Sequence, residues 1–424
     1  MSGEDRLLAL PRFATDTGAF RPGLDRVLEM LSALGDPHLA FPAVHVAGTN
    51  GKGSTASMAA SIADAAGLRV GLHTSPHLLT LRERMRVAGE PAPASWLDAA
   101  VRDLEGVLVQ ARPSFFEATL AIALAYFRDL EVDLAVVEVG LGGRLDATNV
   151  VAPVVSVVTH IGLDHTDLLG ETLPEIAVEK AGIARPDVPL LHAVEDASAR
   201  RALEAEAQRR GAPVEAVRAS CRVDIADGRV ALATPERDYG ALEVGLPGAH
   251  QAWNAALAVR ALEVASDRVG LEAVRAGVAE VATRSGLRGR AQSWPRDPRV
   301  VLDVAHNPAG WRAALEAVEV PPGGRLWTLV GVMADKDVGG LVESLAPRAD
   351  RVLVVGLAGD RARPAPSLVA AFDGTGLEVE PVPSVADALE AFLSRARPND
   401  RMLVTGSHQT VADALLVEHG QKNG

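Results

Sequence analysis

At 424 residues, with 48% hydrophobic and 23% charged side chains, the chain is too long for one core of ordinary size and calls for two or three domains, two being the easier fit. A net charge of −13 argues against nonspecific binding along a nucleic-acid backbone, and no apolar run approaches the ~20 residues that span a bilayer, so small molecules are the favoured partners. The single cysteine, Cys221, excludes an intrachain disulfide and a cysteine-cluster metal site, and reads as a small apolar filler. The N-terminal MSGEDRLLAL has none of the basic start, long apolar centre and cleavage site of a signal peptide, so a cytoplasmic protein is expected, with a monomer as the default.

In chain order, short runs rich in Val, Ile and Leu predict buried strands over 43–47, 69–73, 134–139 and 154–159. Alanine-rich segments with apolar residues at helical spacing, 54–66 and 117–128, lie between them. This alternation predicts an α/β fold built on a mostly parallel sheet with helices on both faces. The stretch 192–246 is less regular and reads as an elaboration of the same first domain, expected over 1–285. Residues 286–298 hold two glycines, two prolines and three arginines without periodicity, and read as a linker. Strands over 300–304, 326–332, 351–355 and 402–405, with helices over 308–318 and 385–394, then predict a second, smaller α/β domain over 299–424.

The segment AVHVAGTNGKGST passes from a β-branched strand through Gly48, Gly51 and Gly53 to an alanine-rich helix. Glycine lets the backbone approach a ligand closely, so successive N–H groups of Gly48, Thr49, Asn50, Gly51, Lys52 and Gly53 can face one anion. The helix N-terminus adds a partial positive charge and Lys52 a full one, while Ser54 or Thr55 can offer a hydroxyl to Mg²⁺. The pattern departs from G-x-x-x-x-G-K-[ST], because Val46 stands at the first glycine position and Gly53 follows the lysine. An ATP-consuming enzyme is expected, but not an ordinary GTPase or kinase.

Glu138 ends the apolar run DLAVVE, and a carboxylate at the C-terminal end of a parallel strand faces the crevice where such sheets bind ligands, a suitable place for Mg²⁺. The next strand ends in THIGLDH, which brings His160, Asp164 and His165 to the same edge, and spacing does not say which of them meets a ligand. Lys180 lies in the apolar helix EIAVEKAGI, where a snorkelling surface role and a functional one are equally open.

Taken together, GTNGKGS from Gly48, TSPHL from Thr74, EVGLGGRLDATN from Glu138, IGLDH from Ile161, EKAGI from Glu179, HQAWN from His250, DVAHNP from Asp303, DKD from Asp335 and SHQTV from Ser407 closely resemble folylpolyglutamate synthase, over nearly the whole chain. The resemblance implies a P-loop-containing, Mur ligase-like first domain and a smaller, Rossmann-like second one. It implies an ATP-dependent ligase that joins L-glutamate to dihydropteroate and extends reduced folates by γ-linked glutamates through an acyl phosphate. By resemblance, Ser54, Glu138 and His165 are Mg²⁺ ligands, and Lys180 is carbamylated to serve a second Mg²⁺, with a monovalent cation in addition. Asn254 and Arg290 match nucleotide contacts, and Asp303 and His306 reach the nucleotide and help form the glutamate site with Ser407 and His408. Lys52, Lys180, His165 and Arg290 form the implied catalytic set.

Ser75, Pro76, His77 and Arg84 fall on the pterin side, and LDATN looks like the bifunctional bacterial form, with Asp146 and Ala147 at the dihydropteroate contacts. The sequence departs from the family in two places: Arg288 stands where a proline usually precedes Gly289 and Arg290, and RERM from Arg82 replaces Asn-Glu-Arg-Ile. Three alternatives stay open: a monofunctional folylpolyglutamate synthase, a cell-wall Mur ligase, and a nucleotide-dependent regulator without catalysis. The phosphate loop at Gly48 begins too early for the extra N-terminal domain of cell-wall enzymes, and a regulator would not need Asp303, His306 and Ser407.

Overall fold

The β-branched runs pair into a parallel sheet in the computed structural model, which describes residues 2–11, 23–359 and 361–418. Strands β1 (Ala43–Ala47), β2 (Val70–His73), β3 (Arg86–Val87), β4 (Glu90–Pro91), β5 (Leu134–Glu138), β6 (Pro153–Val158), β7 (Leu190–His192) and β8 (Val214–Ala216) form one sheet. Its order is β4-β3-β2-β5-β1-β6-β7-β8. All neighbours from β2 to β8 run parallel, while β3 and β4 add an antiparallel edge. Strands β1, β2 and β5 are buried throughout, as expected when helices cover both faces.

The helix Lys52–Ala65 leaves the end of β1, and Gly53 to Ala63 are all buried. Its small residues permit this: Ser61 Oγ donates to Gly277 O at 2.6 Å, and a Cβ on Gly277 would meet the Ile62 backbone. The helix Phe115–Asp129 opens on a capping box between Ser114 and Glu117 and buries a dozen residues beneath the sheet, including Leu120, Ile122, Leu124 and Phe127. The irregular stretch after His192 resolves into the helix Ala197–Arg209, strand β8 and an antiparallel meander of β9 (Arg222–Ala226), β10 (Arg229–Ala233) and β11 (Asp238–Leu242). Cys221 is buried ahead of that meander, and burial pushes its thiol up, in keeping with an inert filler.

The chain divides into two compact units, Met1–Gly245 with Gln251–Leu287, and Leu246–His250 with Arg288–Gly424. The outermost residues 1 and 424, expected as domain bounds, lie outside the described residues. The second unit holds β12 (Gln292–Trp294), β13 (Asp297–Leu302), β14 (Leu326–Val330), β15 (Arg351–Val355), β16 (Glu378–Val382) and β17 (Arg401–Thr405), in the order β12-β13-β17-β14-β15-β16. Strands β13 to β16 pair in parallel, and β12 is an antiparallel edge.

This corrects the linker reading of 286–298. Residues 292–294 pair with β13, and the Trp294 indole is buried with its N–H donated to Ala414 O at 3.2 Å. A strand of three residues carries no period, so only this tertiary burial reveals it. Strand β16 also escaped the sequence reading, because EVEPV is charged and carries a proline, as suits a sheet edge.

Candidate active site

Strands β2, β5, β1 and β6 are consecutive parallel neighbours, so the segments leaving their C-terminal ends share one edge of the sheet. From β1 comes the glycine loop. Gly48 sits at φ +151° and Gly51, at φ +85°, is the N-cap of the helix that begins with Lys52. Gly53 belongs to that helix rather than to the turn, which corrects the three-glycine loop expected from sequence.

The loop is bolted to the exit of β6. Thr49 N–H donates to His160 O at 2.6 Å, the Thr49 hydroxyl donates to Gly162 O at 3.0 Å, and the Thr159 hydroxyl donates to Asn50 O at 2.7 Å. Thr159 was missed in the sequence reading, since a threonine closing a β-branched run carries no signal of its own. A Cβ on Gly48 would overlap the Thr159 hydroxyl, and the left-handed φ adds strain. Gly48→Ala should therefore weaken ADP binding at least ~10-fold and lower the thermal midpoint by a few degrees, as read by calorimetric titration and thermal unfolding.

Asn254 meets the same loop. Its Oδ1 accepts from the Thr55 hydroxyl at 3.3 Å, its Nδ2 donates to Gln251 Oε1 at 2.8 Å, and a Cβ on Gly51 would come within 2.6 Å of it. Thr55 donates its hydroxyl hydrogen to Asn254 and Ser54 is buried beside it, so both oxygens keep lone pairs that a cation can use. Two lysines converge on one carbonyl: Lys52 Nζ donates to Gly48 O at 3.0 Å and Thr49 O at 3.1 Å, and Lys180 Nζ donates to Gly48 O at 2.9 Å. Lys180 is 3% exposed, and burial, reinforced by the Lys52 charge, pulls its ammonium down to about 7. Its helix is therefore not a surface one at this position.

Glu138 ends β5 in register with Val46 of β1 and accepts from Ser75 N–H at 2.9 Å, tying the segment after β2 to the sheet edge. Farther along that segment, Arg84 Nε donates to His77 Nδ1 at 2.9 Å and the guanidinium lies 4.9 Å from the Phe115 ring centre. After β5, Asp146 is buried; its Oδ2 accepts from Leu141 N–H at 2.8 Å, and its Oδ1 accepts from the Thr148 N–H and hydroxyl at 3.0 and 2.5 Å. Asp146 thereby starts the short 3₁₀ turn Ala147–Val150. This segment is pinned to the Lys180 helix: Arg144 pairs with Glu179 at 2.8 Å, and Asn149 Nδ2 donates to Gly182 O at 3.2 Å.

His165 takes φ +52° ahead of the helix Thr166–Leu169, with its side chain 38% exposed and 3.8 Å from Asp164. Burial lowers the His160 imidazole, with Glu195 opposing. Among the described residues no three His, Cys, Asp or Glu side chains gather as a metal cluster. The donors expected for Mg²⁺ supply one carboxylate, one hydroxyl and one imidazole, so a hard divalent cation would draw its further ligands from phosphate oxygens and water, in keeping with Mg²⁺ chemistry. The set fits Mg²⁺ on that condition, with Lys180 in a form other than the ammonium.

In the second unit, parallel neighbours β13 and β17 bring Asp303, His306, Ser407 and His408 to one edge. Asp303 is half-buried, and its desolvation raises its carboxyl against the pull of Arg290; it accepts from Ala291 N–H at 2.8 Å and Ala305 N–H at 2.9 Å. His306 Nδ1 lies 3.0 Å from Val304 O, and its ring centre is 5.6 Å from that of His408. The Ser407 hydroxyl is paired with that of Thr410 at 2.8 Å, which itself donates to Gly331 O, so Ser407 fixes the start of the helix His408–Glu418.

Residues 46–262 match the Mur ligase middle domain and 289–408 the Mur ligase glutamate ligase domain. Relatives include the Escherichia coli dihydrofolate synthase/folylpolyglutamate synthase, 36% identical over 95% of this chain and 92% of its own length. Another is the probable bifunctional folylpolyglutamate synthase/dihydropteroate synthase of Halobacterium salinarum, 39% identical over 93% of this chain; the chain spans about half, 49%, of that longer protein. The solved structure of E. coli FolC in complex with DHPP and ADP superposes with a TM-score of 0.88 at 34% identity, covering 99% of this chain and 98% of that one. Coverage from end to end at this identity, with both Mur ligase domains in order, means that the chain belongs to the dihydrofolate synthase/folylpolyglutamate synthase family of Mur-type ligases.

Proposed function

We propose that this chain is an ATP-dependent ligase that adds L-glutamate to dihydropteroate and, by γ-linkage, to reduced folates. The observation that carries the reading is the single sheet edge where the glycine loop, Lys52, Glu138 and Lys180 meet the segment bearing Asp146. The first compact unit serves as the ATP-binding domain and the second, from Arg288 onward and including β12, as the glutamate-binding domain, with the chain acting as a cytoplasmic monomer.

A carboxylate is a poor acyl donor because its leaving group would be oxide, so ATP first phosphorylates it. The amine of glutamate then attacks the acyl phosphate and expels phosphate. Loop N–H groups of Gly48, Asn50, Gly51, Lys52 and Gly53 cradle the phosphates, that of Thr49 being given to His160 O, and Lys52 leaves its loop carbonyls to meet the transferring phosphoryl group; Arg290 is assigned to the nucleotide. Asn254 holds the loop at Gly51. Ser75, Pro76, His77, Arg84, Asp146 and Ala147 place the pterin-bearing substrate, and Asp303, His306, Ser407 and His408 place nucleotide and glutamate. Ser54, Glu138, His165 and Lys180 would hold Mg²⁺, which when bound neutralises phosphate charge. A Lys180 amine with its pKa near 7 is neutral often enough to add to carbon dioxide, forming a C–N bond and releasing one proton, to give an anionic carbamate in place of a cation.

Purified protein incubated with ATP, glutamate and either dihydropteroate or tetrahydrofolate should release ADP only when glutamate and a pterin acceptor are both present, with product mass increased by one glutamyl unit. Turnover with tetrahydrofolate alone reduces the activity to folylpolyglutamate synthesis. ADP release only with a nucleotide-linked sugar peptide, or with no acceptor, excludes the proposal.

A further inference from the structure

Beneath the proposed substrate segment lies a buried histidine to which the reaction above gives no task. His45 is at the middle of β1, the central strand, fully buried, and its Nε2 lies 2.9 Å from the Thr148 hydroxyl. That hydroxyl is in turn 2.5 Å from Asp146 Oδ1. Burial raises the Asp146 carboxyl, but Oδ1 already accepts the Thr148 backbone N–H and is therefore the acceptor oxygen, so the Thr148 hydroxyl spends its proton on Oδ1 and must itself accept from His45. This fixes the tautomer: Nε2 carries the hydrogen, and Nδ1, which has no hydrogen-bond partner among the described residues, is bare. The ring also stays neutral, because burial, with Arg185 nearby, holds it down to about 3.

We infer that His45 and Thr148 are positioning residues for Asp146, forming a one-way chain, His45 Nε2–H to Thr148 Oγ1–H to Asp146 Oδ1, that sets the carboxylate to receive a pteridine N–H donor. The chain has one direction only, since neutral His45 can give a single proton and Asp146 Oδ1, which also takes the Thr148 N–H, accepts. Two Thr148 donors hold Oδ1, Oδ2 accepts the Leu141 N–H, and the Gly140 backbone N–H adds a fourth donor to the carboxyl group. A buried carboxylate held on both oxygens cannot swing, so its orientation is set before substrate arrives. The inference rests on the proposed reading of Asp146 as a pterin contact.

Steady-state kinetics on Thr148→Val, Thr148→Ser, His45→Leu, His45→Gln and Asp146→Asn test it. Thr148→Val keeps size and the backbone N–H but removes the relay hydroxyl, and should raise the KM for dihydropteroate about tenfold while the KM for ATP stays within about twofold. His45→Leu should do the same, and Thr148→Ser should restore the wild-type value; His45→Gln, which keeps an N–H, should recover part of the loss. A general loss of structure would instead move both KM values and kcat together, and that result overturns the inference. If Asp146→Asn raises the KM but Thr148→Val and His45→Leu do not, the relay is wrong and the substrate reading stands. If Asp146→Asn leaves the KM unchanged, the substrate reading itself falls and takes the relay with it.

The wild-type protein gives an independent check. Ring ¹⁵N spectra should show His45 neutral with Nε2–H from pH 5 to 8, and dihydropteroate, but not ATP alone, should shift that nitrogen. An Nδ1–H tautomer, an imidazolium in this range or an unmoved signal on saturation with dihydropteroate overturns the assignment, whether or not the variants fold.

Discussion

Lys52→Ala is expected to lower kcat/KM for ATP-dependent glutamate addition by ~10³-fold or more while leaving the thermal midpoint within a few degrees of wild type. The two halves of this expectation come from the same geometry. Lys52 is the first residue of the helix Lys52–Ala65, where its charge sits at the positive end of the helix dipole. Among the described residues its hydrogen-bond partners are the Gly48 and Thr49 carbonyls of its own loop. A fold selected for stability alone would place an acid or a small polar group there, so removing the amine costs the fold little. For the reaction the loss is large, because phosphoryl transfer depends on fixed positive charge around the moving group. Removing Lys52 also removes a like charge beside Lys180, whose pKa should then rise from about 7. Ligation by Lys52→Ala at the wild-type rate would take the loop out of the mechanism.

The sheet edge that makes this argument possible was legible in the sequence because its signals are local. β-Branched runs at 43–47 and 134–139, a glycine-rich turn and an alanine-rich helix each announce themselves within a dozen residues, and the structure places strands at Ala43–Ala47 and Leu134–Glu138. Glu138 could be placed at the sheet edge for the same reason. What the sequence hid is settled by contacts distant along the chain. Whether Lys180 snorkels or is buried depends on Gly48, 132 positions away, and not on its helix. The Thr159 clamp on Asn50 and the His45–Thr148 contact likewise join segments separated by about a hundred residues. The Thr55–Asn254 contact, spanning 199 positions, is likewise invisible to any local pattern. Trp294 shows the same limit for the fold, since an indole in an arginine- and proline-rich stretch reads as linker until its cavity is known.

Lys180→Ala is expected to lower turnover roughly 10²–10³-fold, with part of the activity returned by formate or acetate, which can occupy the space of a carbamate. The wild-type enzyme should also lose activity when depleted of bicarbonate at pH near 7 and regain it on readdition. Full activity of Lys180→Ala without any added acid would exclude the carbamate. A second readout is thermodynamic and does not involve turnover. Burial depresses the folded-state pKa of Lys180 from 10.5 to about 7, so between these values the unfolded chain binds one more proton than the native one and stability rises with pH. The cost of burying the ammonium is thus felt in full below about pH 7 and is relieved as pH climbs toward 10.5. Lys180→Met keeps the length of the side chain and cannot be charged, so in carbon-dioxide-free urea titrations it should exceed wild type in stability most clearly at pH 6, with the difference shrinking by pH 9. A difference that stays constant with pH would mean that the lysine keeps its ordinary affinity for protons, and with it would go the neutral amine that carbamate formation requires.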